Sequence, residues 1–248
     1  MSRPSIAIIG STGRLGSAVA RELTPDFRIC ELGGRAAANI EVPGAVANAL
    51  DPHDFDLLIN CAGGTEVDRC ERYPHWAQQV NAASVAEMAA ACAAKGARLI
   101  HISSDYVFRG DHDRPYTEDD APDPISEYGR AKLAGERAAL DADAANLVVR
   151  VSWLFADGRP CFPDWAIRRA MSQDPLRIVS DKISSPTYAR DFAKLIRPLL
   201  FGECAVGGVL HLPNAARRRG SNSVNMRWTA RRYHPLHTAT PRASRFLR

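Results

Sequence analysis

The stretch "IAIIGSTGRLGSAVARELT", Ile6–Thr24, decides the fold class of this chain. An apolar run rich in β-branched residues ends at Gly10, and glycines recur at Gly13 and Gly16, where a helical pattern begins. A strand, a glycine-rich turn and a helix in this order are the setting of a dinucleotide-binding fingerprint. Gly10 would allow the tight turn, Gly13 the approach of a pyrophosphate, and Gly16 the close packing of the helix on the sheet. The spacing is G-x-x-G-x-x-G, so a glycine-rich turn without a ligand is the alternative interpretation.

Beyond this stretch, short β-rich runs alternate with longer helical patterns. Strands are predicted at Ser5–Gly10, Phe27–Leu32, Asp56–Ala62, Arg98–Ser104 and Asn146–Trp153, and a long Ala-rich helix at about His75–Lys95. Such alternation is typical of βαβ crossovers. The predicted fold class is therefore α/β, with a Rossmann-type doubly wound parallel sheet.

The pattern weakens after Trp153. A helix is predicted near Asp164–Gln173, a strand near Leu176–Val179, a helix at Tyr188–Leu200 and a strand at Val209–Leu212. We therefore expect three parts along the chain. They are an NAD(P)-binding Rossmann domain at 1–153 that carries the catalytic residues, a small, incomplete C-terminal substrate lobe at 154–215, and an Arg-rich tail at 216–248.

The tail differs from the rest of the chain in its charge. It contains nine arginines, no lysine and no acidic residue, which leaves 23 basic and 28 acidic residues in 1–215. Its few apolar residues lack helical spacing, which predicts a disordered segment. We interpret the tail as the product of a reading-frame change or a recombination, and the rival interpretation is a genuine basic arm for nucleic acid or an acidic partner. In either case the substrate lobe would be truncated, which would weaken sugar binding.

Composition indicates a globular protein without a membrane span. Hydrophobic residues make up 46% of the 248 residues, enough for a sizeable core. No apolar run approaches the roughly 20 residues that span a bilayer. The N-terminus lacks the apolar core and cleavage site of a signal peptide, so we expect a cytoplasmic protein. The six cysteines form no C-x-x-C pair and are expected to be reduced and mostly buried, and no metal site is predicted.

A second informative stretch is "ISEYGRAKLAGE", Ile125–Glu136, which predicts a helix. Tyr128 and Lys132 lie at positions i and i+4, and therefore on one face of that helix. Such a pair is often solvated surface, but here it follows a dinucleotide loop and the stretch "HISSDYVF", His101–Phe108. Ser104 would lie at the carboxyl end of a strand, where open α/β sheets bind ligands.

These motifs together resemble the extended short-chain dehydrogenases/reductases and, more narrowly, the dTDP-4-dehydrorhamnose reductase family of nucleotide-sugar 4-ketoreductases. The resemblance is carried by "IIGSTGRLG", "INCAGGTEVDRCE", "VNAASV", "HISSDYVFRG", "PYTEDDAPDPISEYGRAKLAGE", "VVRVSW" and "DKISSPTYARDFA", which run from about Ile6 to Asn214 in the family's order. It implies an NADPH- or NADH-dependent oxidoreductase of dTDP-rhamnose biosynthesis. The implied reaction is reduction of the 4-keto group of a dTDP-linked 6-deoxysugar, as in the conversion of dTDP-4-dehydro-L-rhamnose to dTDP-L-rhamnose.

The resemblance also implies three catalytic residues. Tyr128 would donate a proton to the alkoxide that hydride transfer leaves on the substrate. Lys132 would lower the pKa of the phenol, which is near 10 when unperturbed, and would hold the nicotinamide ribose. Ser104 would hydrogen-bond the substrate carbonyl and stabilise the developing charge. The family often has threonine at this position, and serine keeps the hydroxyl.

Three further residues are implied to bind the sugar. Asp105 and Tyr106 would hydrogen-bond it, and Trp153 would line its site. A strand-end cap for Asp105 and a plain core position for Trp153 are the alternatives. The expected partners are a nucleotide-sugar substrate and a second copy of the chain in a homodimer, whereas neither a membrane nor nucleic acid is expected.

The coenzyme site is predicted from three segments and the catalytic helix. Its residues are Gly10, Thr12, Gly13, Arg14, Leu15 and Gly16 in the glycine loop, Glu31 and Arg35 near the end of the second strand, Asn60, Ala62 and Gly63 at the end of the third, and Tyr128 and Lys132. Glu31 would accept hydrogen bonds from a free 2′-hydroxyl and favour NADH. Arg14 and Arg35 would instead pair with a 2′-phosphate and favour NADPH, so both coenzymes stay open.

Two other functions are compatible with the sequence. A nucleotide-sugar epimerase or dehydratase of the same superfamily would keep the tyrosine and lysine but recycle its coenzyme within one turnover. A non-catalytic regulatory subunit would work by binding a partner enzyme. The β subunit of methionine adenosyltransferase, which resembles the same family, is of that second kind.

Overall fold

The structure, a computed structural model, describes residues 3–157, 161–172, 183–214 and 218–219. Its first five strands are β1 (Ser5–Ile9), β2 (Arg28–Leu32), β3 (Leu57–Asn60), β4 (Arg98–Ser104) and β5 (Leu147–Val151). Among them lie α1 (Arg14–Leu23), α2 (Ala45–Leu50), α3 (Val67–Arg72), α4 (Pro74–Gln78), α5 (Ser84–Lys95) and α6 (Glu127–Ala142). After β5 come β6 (Leu154–Phe155), α7 (Phe162–Met171), β7 (Ile183–Ser184), β8 (Thr187–Tyr188), α8 (Ala189–Ile196), β9 (Gly208–His211) and β10 (Arg218–Arg219).

Six of these strands form one parallel sheet in the order β2-β1-β3-β4-β5-β9. The chain order reverses at β1, since β2 lies on one side of it and β3 on the other. Loops leave the carboxyl ends of β1 and β3 in opposite directions and open a crevice, which is where such sheets bind ligands. The predicted α/β class with a Rossmann-type doubly wound parallel sheet is therefore confirmed.

The strands at the centre of the sheet are buried on both faces. In β1, Ile6 and Ile8 pack on the side covered by α1 and α8, while Ala7 and Ile9 pack on the side covered by α2 and α5. All five residues of β1 are buried. A continuous apolar run is what a parallel strand between two helical layers needs, because successive side chains enter two different cores.

The long helix predicted at about His75–Lys95 is interrupted. A π-helical turn at Gln79–Ala83 separates α4 from α5. Inside it, the Asn81 amide donates to the Gly64 carbonyl and accepts from the Gly64 amide, both at 3.0 Å. The Asn81 carbonyl oxygen lies only 2.1 Å from the position that a Cβ atom on Gly135 would occupy. The widened turn thus joins the loop after β3 to α6 at a point where only glycine fits, and π-turns are often found at functional sites.

The boundary predicted at residue 153 differs from the observed architecture. β9 pairs with β5 in the main sheet, and α8 packs on α1 in the same core as β1 and β3. Both elements come from the segment assigned to the substrate lobe. Their apolar faces complete the Rossmann layers, so within the described ranges the elements outside the main sheet and its helices are β6, α7, β7, β8 and β10.

Several predictions for the C-terminal part fall on residues that the structure leaves undescribed. The strand predicted near Leu176–Val179 is among them. The disorder predicted for 216–248 also lies outside the described residues, apart from Arg218–Arg219, which form β10 antiparallel to β7. Across the described ranges, none of the helices has the length and apolar character needed to cross a membrane.

Candidate active site

A cavity of about 810 Å³ opens at the carboxyl ends of β1, β3, β4 and β5. The predicted site residues that line it are Gly10, Thr12, Gly13, Arg14, Leu15, Arg35, Ala62, Gly63, Ser104, Asp105, Tyr106, Tyr128, Lys132 and Trp153. Three predicted residues, Gly16, Glu31 and Asn60, are not part of its wall. The structure therefore brings the glycine loop and the tyrosine–lysine helix to one crevice.

The glycine loop has the shape that its spacing predicts. Gly10 has a φ of +78°, and a Cβ atom there would lie 2.9 Å from the Ala62 nitrogen. A Cβ atom on Gly16 would lie 2.1 Å from the Gly10 carbonyl oxygen, so α1 packs against the turn as closely as backbone allows. Gly13 is the N-cap of α1 and has no side chain to bond the first-turn amides. Those amides and the helix dipole form a site suited to a phosphate group.

The rim of the cavity beyond the glycine loop is charged. The Arg35 guanidinium donates to the Glu41 carboxylate at 2.7 Å, and this ion pair lowers the pKa of Glu41. Both residues line the cavity, whereas Glu31 is exposed on β2 outside the wall. The acid paired with Arg35 at this rim is therefore Glu41, in the loop between β2 and α2. Sequence reasoning missed it because this loop carries no motif.

An aromatic wall faces the same region. The Trp76 ring lies within van der Waals reach of Gly64, where a Cβ atom would approach it to 2.6 Å, and the Arg69 guanidinium stacks 3.8 Å above the ring centroid. Trp76 and Arg69 both line the cavity. Such cation–π stacking typically contributes about 0.5–1 kcal/mol at partly exposed sites. Neither residue was predicted, since a Trp in a helical pattern has no ligand signature of its own.

Ser104 closes β4 and caps the short 3-10 turn that follows. Its hydroxyl accepts from the Tyr106 amide at 3.3 Å and donates to the Asp105 carboxylate at 3.1 Å. The other Asp105 oxygen accepts from the Ser184 hydroxyl at 3.1 Å, which ties the end of β4 to β7. Asp105 thus connects the catalytic strand to the C-terminal elements, which goes beyond a plain strand-end cap.

Tyr128 lies in the first turn of α6, where the Ser126 hydroxyl caps the helix by accepting from the Gly129 amide at 3.1 Å. The phenol ring is 7% exposed and meets the Tyr106 ring edge-on at 5.3 Å. Burial raises the pKa of Tyr128, and the hydrogen bond with Ser104 acts in the opposite direction. The phenol is therefore fully protonated at neutral pH and able to donate. Burial is the largest cause of the shift, and the lowering of the phenol pKa by Lys132 stays a prediction.

Lys132 is 4% exposed, and its side chain forms part of the cavity wall. Its Nζ donates to the Ile102 carbonyl at 2.7 Å and lies 3.4 Å from Nε2 of His101. Burial lowers the pKa of Lys132 to about 8, while the Glu136 carboxylate acts to raise it. Asn60, predicted as a coenzyme contact, is instead buried behind the cavity wall, where it bonds to His101 at 3.0 Å.

Trp153 has the one positive φ found at a non-glycine residue in the described chain, +43°. Its carbonyl accepts from the Thr187 amide at 3.2 Å, and its ring lies 5.8 Å from that of Phe162. A bulky side chain in the left-handed region is strained by about 1–3 kcal/mol, and such strain is concentrated at functional sites. The ring lines the cavity rather than the core, which favours the substrate-site interpretation. Among the residues described, no group of three or more His, Cys, Asp or Glu side chains is arranged to hold a metal ion.

Comparison with known proteins agrees with this geometry. A family model described as RmlD substrate binding domain matches residues 4–223. The chain is similar to a dTDP-4-dehydrorhamnose reductase of Streptomyces griseus, with 36% identity over 220 residues that cover 86% of this chain and 71% of that relative. A dTDP-4-dehydrorhamnose reductase of Sinorhizobium fredii is 33% identical over 212 residues, covering 84% of this chain and 71% of its own. In structure the chain is similar to dTDP-4-dehydrorhamnose reductase from Bacillus anthracis in complex with NADP, with a TM-score of 0.83, 29% identity, and coverage of 90% of this chain and 79% of that one.

Proposed function

This chain belongs to the RmlD substrate binding domain family of dTDP-4-dehydrorhamnose reductases, and from that membership we propose its reaction. It is an NADPH- or NADH-dependent oxidoreductase that reduces the 4-keto group of a dTDP-linked 6-deoxysugar, of the dTDP-4-dehydro-L-rhamnose type. The observation that carries this proposal is the convergence of Ser104, Tyr128 and Lys132 on the cavity that the glycine loop opens.

The coenzyme would lie along the carboxyl ends of the strands. The first-turn amides of α1 and the approach allowed by Gly13 would hold its pyrophosphate. Arg14 and Arg35, which line the cavity, would meet the adenosine end, and Glu41 would oppose a 2′-phosphate there. When bound, the reduced nicotinamide supplies the hydride for the ketone carbon.

The residues of this chain supply the rest of the chemistry. The Ser104 hydroxyl would hydrogen-bond the ketone oxygen and stabilise the charge that develops on it. Tyr128, protonated because burial raises its pKa, would transfer its proton to that oxygen as the alkoxide forms. Lys132, beneath the cavity floor, would restore the proton of the phenol and bind the ribose hydroxyls of the coenzyme.

The sugar would lie on the side of the cavity formed after β4 and β5. Asp105 and Tyr106 follow Ser104 directly and face the cavity, and Trp153 bounds it after β5. The contact between Asp105 and Ser184 brings the segment 183–188 to the same place. Residues from 154 onward would therefore contribute to the sugar site together with the Rossmann core.

The relatives favour reduction over the two other functions compatible with the sequence. Both sequence relatives are named dTDP-4-dehydrorhamnose reductases, not epimerases, dehydratases or regulatory subunits. The homodimer and the cytoplasmic location expected from the sequence remain proposals alongside this function.

The test is to mix the purified protein with NADPH and dTDP-4-keto-6-deoxy-L-mannose and to follow the absorbance of the reduced nicotinamide. A reductase consumes about one coenzyme per sugar. An epimerase or dehydratase would convert the sugar without net oxidation, and a regulatory subunit would do neither. The Tyr128→Phe variant, run beside the wild type, separates site-dependent turnover from background oxidation.

A further inference from the structure

A buried histidine lies directly behind Lys132 and has no part in the reaction derived above. His101, in the middle of β4, is 0% exposed. Its Nε2 lies 3.4 Å from Lys132 Nζ, and its Nδ1 lies 3.0 Å from the Asn60 amide nitrogen. Burial and the neighbouring Lys132 charge hold the pKa of His101 well below its ordinary value, so the ring is neutral at physiological pH. A neutral imidazole carries one proton, on one nitrogen or the other.

Asn60 determines which nitrogen carries it. The Asn60 Oδ1 accepts from the Ala62 amide at 2.9 Å, and a backbone N–H can only donate. The orientation of the side-chain amide is therefore fixed, and its Nδ2 must donate to Nδ1 of His101. Nδ1 is then the unprotonated nitrogen, and the ring proton is on Nε2, the nitrogen that faces Lys132.

We propose that Asn60 and His101 form a positioning unit for Lys132, in which a fixed Nε2–H faces Nζ and favours the amine form of the lysine over the ammonium form. An Nε2–H group repels an ammonium but donates a hydrogen bond to the lone pair of an amine. The same nitrogen could not accept from the ammonium in this tautomer. The acceptor that remains for the ammonium on this side, among the residues described, is the Ile102 carbonyl at 2.7 Å.

The elements that pack on α6 carry several charged and titratable side chains. On α6 itself, Glu136 acts to raise the pKa of Lys132, but its carboxylate is paired with Arg150 of β5 at 2.6 Å. The 3-10 turn after β4 contributes Asp105 and Tyr106, and α3 contributes Cys70 and Glu71. α4 contributes His75, and α5 contributes Glu87 and Lys95. Burial and the Glu136 carboxylate are the two causes of the shift in the pKa of Lys132.

The consequence for turnover rests on the proposed function. When the Tyr128 phenol gives its proton to the substrate alkoxide, the O–H bond of the phenol breaks and a phenolate remains. The proton that restores the phenol leaves the Lys132 ammonium, and the resulting amine accepts the Nε2–H of His101. A proton from solvent then restores the ammonium. His101 would thus stabilise Lys132 in the state that follows proton donation, without gaining or losing a proton itself.

The positioning unit can be tested without substrate. The chain contains four lysines and seven histidines, so selective isotope labelling gives simple NMR spectra. In the wild type, long-range ¹H–¹⁵N spectra assigned with His101→Phe should show the His101 proton on Nε2. A ring proton found on Nδ1 would overturn the proposal. This measurement is made on the wild-type protein and does not depend on the activity of any variant.

The second measurement is the titration of Lys132, followed by ¹³Cε chemical shift and assigned with Lys132→Met. His101→Phe removes the donor, and Asn60→Asp keeps the acceptor for the Ala62 amide but accepts from Nδ1–H, which reverses the tautomer. His101→Phe should move the pKa of Lys132 upward by about one pH unit, the value of one hydrogen bond, and Asn60→Asp should move it further because its carboxylate also adds a negative charge. Ile100→Val, a buried change in the same strand, should leave it in place.

The pH profile of kcat/KM provides the functional readout. Its alkaline limb should shift upward in His101→Phe and Asn60→Asp to the same extent as the lysine titration. Unshifted titrations in the folded variants would overturn the proposal. If the protein fails to reduce the sugar but the tautomer and the titrations behave as stated, the positioning unit stands and the proposed reaction is what fails.

Discussion

The Glu136 carboxylate accepts two hydrogen bonds from the Arg150 guanidinium, at 2.9 Å from Nε and 2.6 Å from Nη2. Both side chains are 3% exposed. Glu136 lies one helical turn after Lys132 on α6, and Arg150 lies on β5, next to the strand that carries Ser104. This buried ion pair of Glu136 and Arg150, called the fork below, therefore fixes the catalytic helix to the sheet at the level of the active site. Planar, bidentate pairs of this kind are geometrically specific.

Breaking the fork should unfold the protein at a much lower temperature. Glu136→Gln keeps the shape but leaves the Arg150 charge buried without its partner, which typically costs about 3–5 kcal/mol. For a chain of this size we expect Tm to fall by on the order of 10 °C in a calorimetric scan. Glu127→Gln is the control, since it removes an exposed pair with Arg130 on the same helix. Such a pair contributes about 0–1 kcal/mol, so equal losses in both variants would contradict the role given to the fork.

Removing the phenol hydroxyl should abolish turnover but not coenzyme binding. Tyr128→Phe loses only the transferable proton, and loss of a positioned acid lowers kcat by about 10²–10⁴-fold. NADPH affinity, measured by fluorescence or calorimetry, should stay within about twofold because no other atom of the site changes. The matched control is Tyr73→Phe, the same change at a residue 58% exposed. A Tyr128→Phe enzyme with most of its rate would assign the acid to another group or to water.

Filling the glycine loop should prevent coenzyme binding. A Cβ atom on Gly13 would lie 3.0 Å from the Gly10 carbonyl oxygen, a tight contact that requires a small shift of the turn, and the branches of a valine would occupy the space in front of the α1 amides. Gly13→Val should therefore lose measurable NADPH affinity, and circular dichroism of the variant checks that it is folded. Ser17→Ala, one turn further along α1 and outside the cavity wall, should bind as the wild type does. Equal affinities in the two variants would move the pyrophosphate site elsewhere.

Burial of Lys132 should make the free energy of unfolding depend on pH above about pH 8. Its folded pKa of about 8 lies below the ordinary value of 10.5, so between these values the unfolded chain binds the proton that the folded chain has released. Stability from this group therefore rises with pH in that window, by up to about 1.4 kcal/mol per pH unit. Below pH 8 both states carry the charge, and the burial penalty is fully present.

The measurement is a comparison of urea unfolding for the wild type and Lys132→Met from pH 7 to 9. The free energy of unfolding of the variant should exceed that of the wild type most at pH 7, and the gap should narrow as pH rises. A gap that is constant with pH would mean that Lys132 keeps an ordinary pKa in the folded state. Taking the difference between the two proteins cancels the contributions of Cys61, whose pKa burial raises to about 12, and of Tyr128.

The parts of the fold and site that the sequence predicts are those with local causes. The turn itself requires the positive φ of Gly10, and Gly16 is required by its contact with the Gly10 carbonyl oxygen, so the spacing of these glycines predicts the turn. Tyr128 and Lys132 share a helix face for the same local reason. The parallel sheet of the first five strands follows from the alternation of apolar runs and helices.

What the sequence does not predict depends on contacts between distant segments. The break at Gln79–Ala83 arises because Asn81 bonds Gly64 and its carbonyl meets Gly135. β9 pairs with β5 in the main sheet, and periodicity cannot show which strand a late segment pairs with. The contact between Asn60 and His101 could not be predicted for a similar reason. Each residue lies in an apolar strand, and the two meet only when β3 and β4 pair in the sheet.

The pair formed by Arg35 and Glu41 should set the coenzyme preference. Their contact of 2.7 Å at the cavity rim balances one cation with one anion, and the lowered pKa of Glu41 keeps that anion charged at neutral pH. A 2′-phosphate brought to this rim would be attracted by Arg35 and repelled by Glu41, whereas a 2′-hydroxyl would be affected little. Glu41→Gln should therefore raise NADPH affinity several-fold and leave NADH affinity nearly unchanged, as expected for about 1 kcal/mol from one exposed charge.

A double-mutant cycle with Arg35→Ala decides whether the effect passes through the guanidinium. If Arg35 is the phosphate partner, Arg35→Ala should weaken NADPH binding, and adding Glu41→Gln should then restore only the small part due to removal of repulsion. Calorimetric titrations of all four proteins with NADPH and NADH give the coupling energy directly. Because these are binding measurements, they need no turnover, and increased salt should reduce the NADPH effect since both side chains are partly exposed. Additive changes in the cycle would place the 2′-phosphate on another cation of the rim, with Arg14 and Arg69 as the residues to change next.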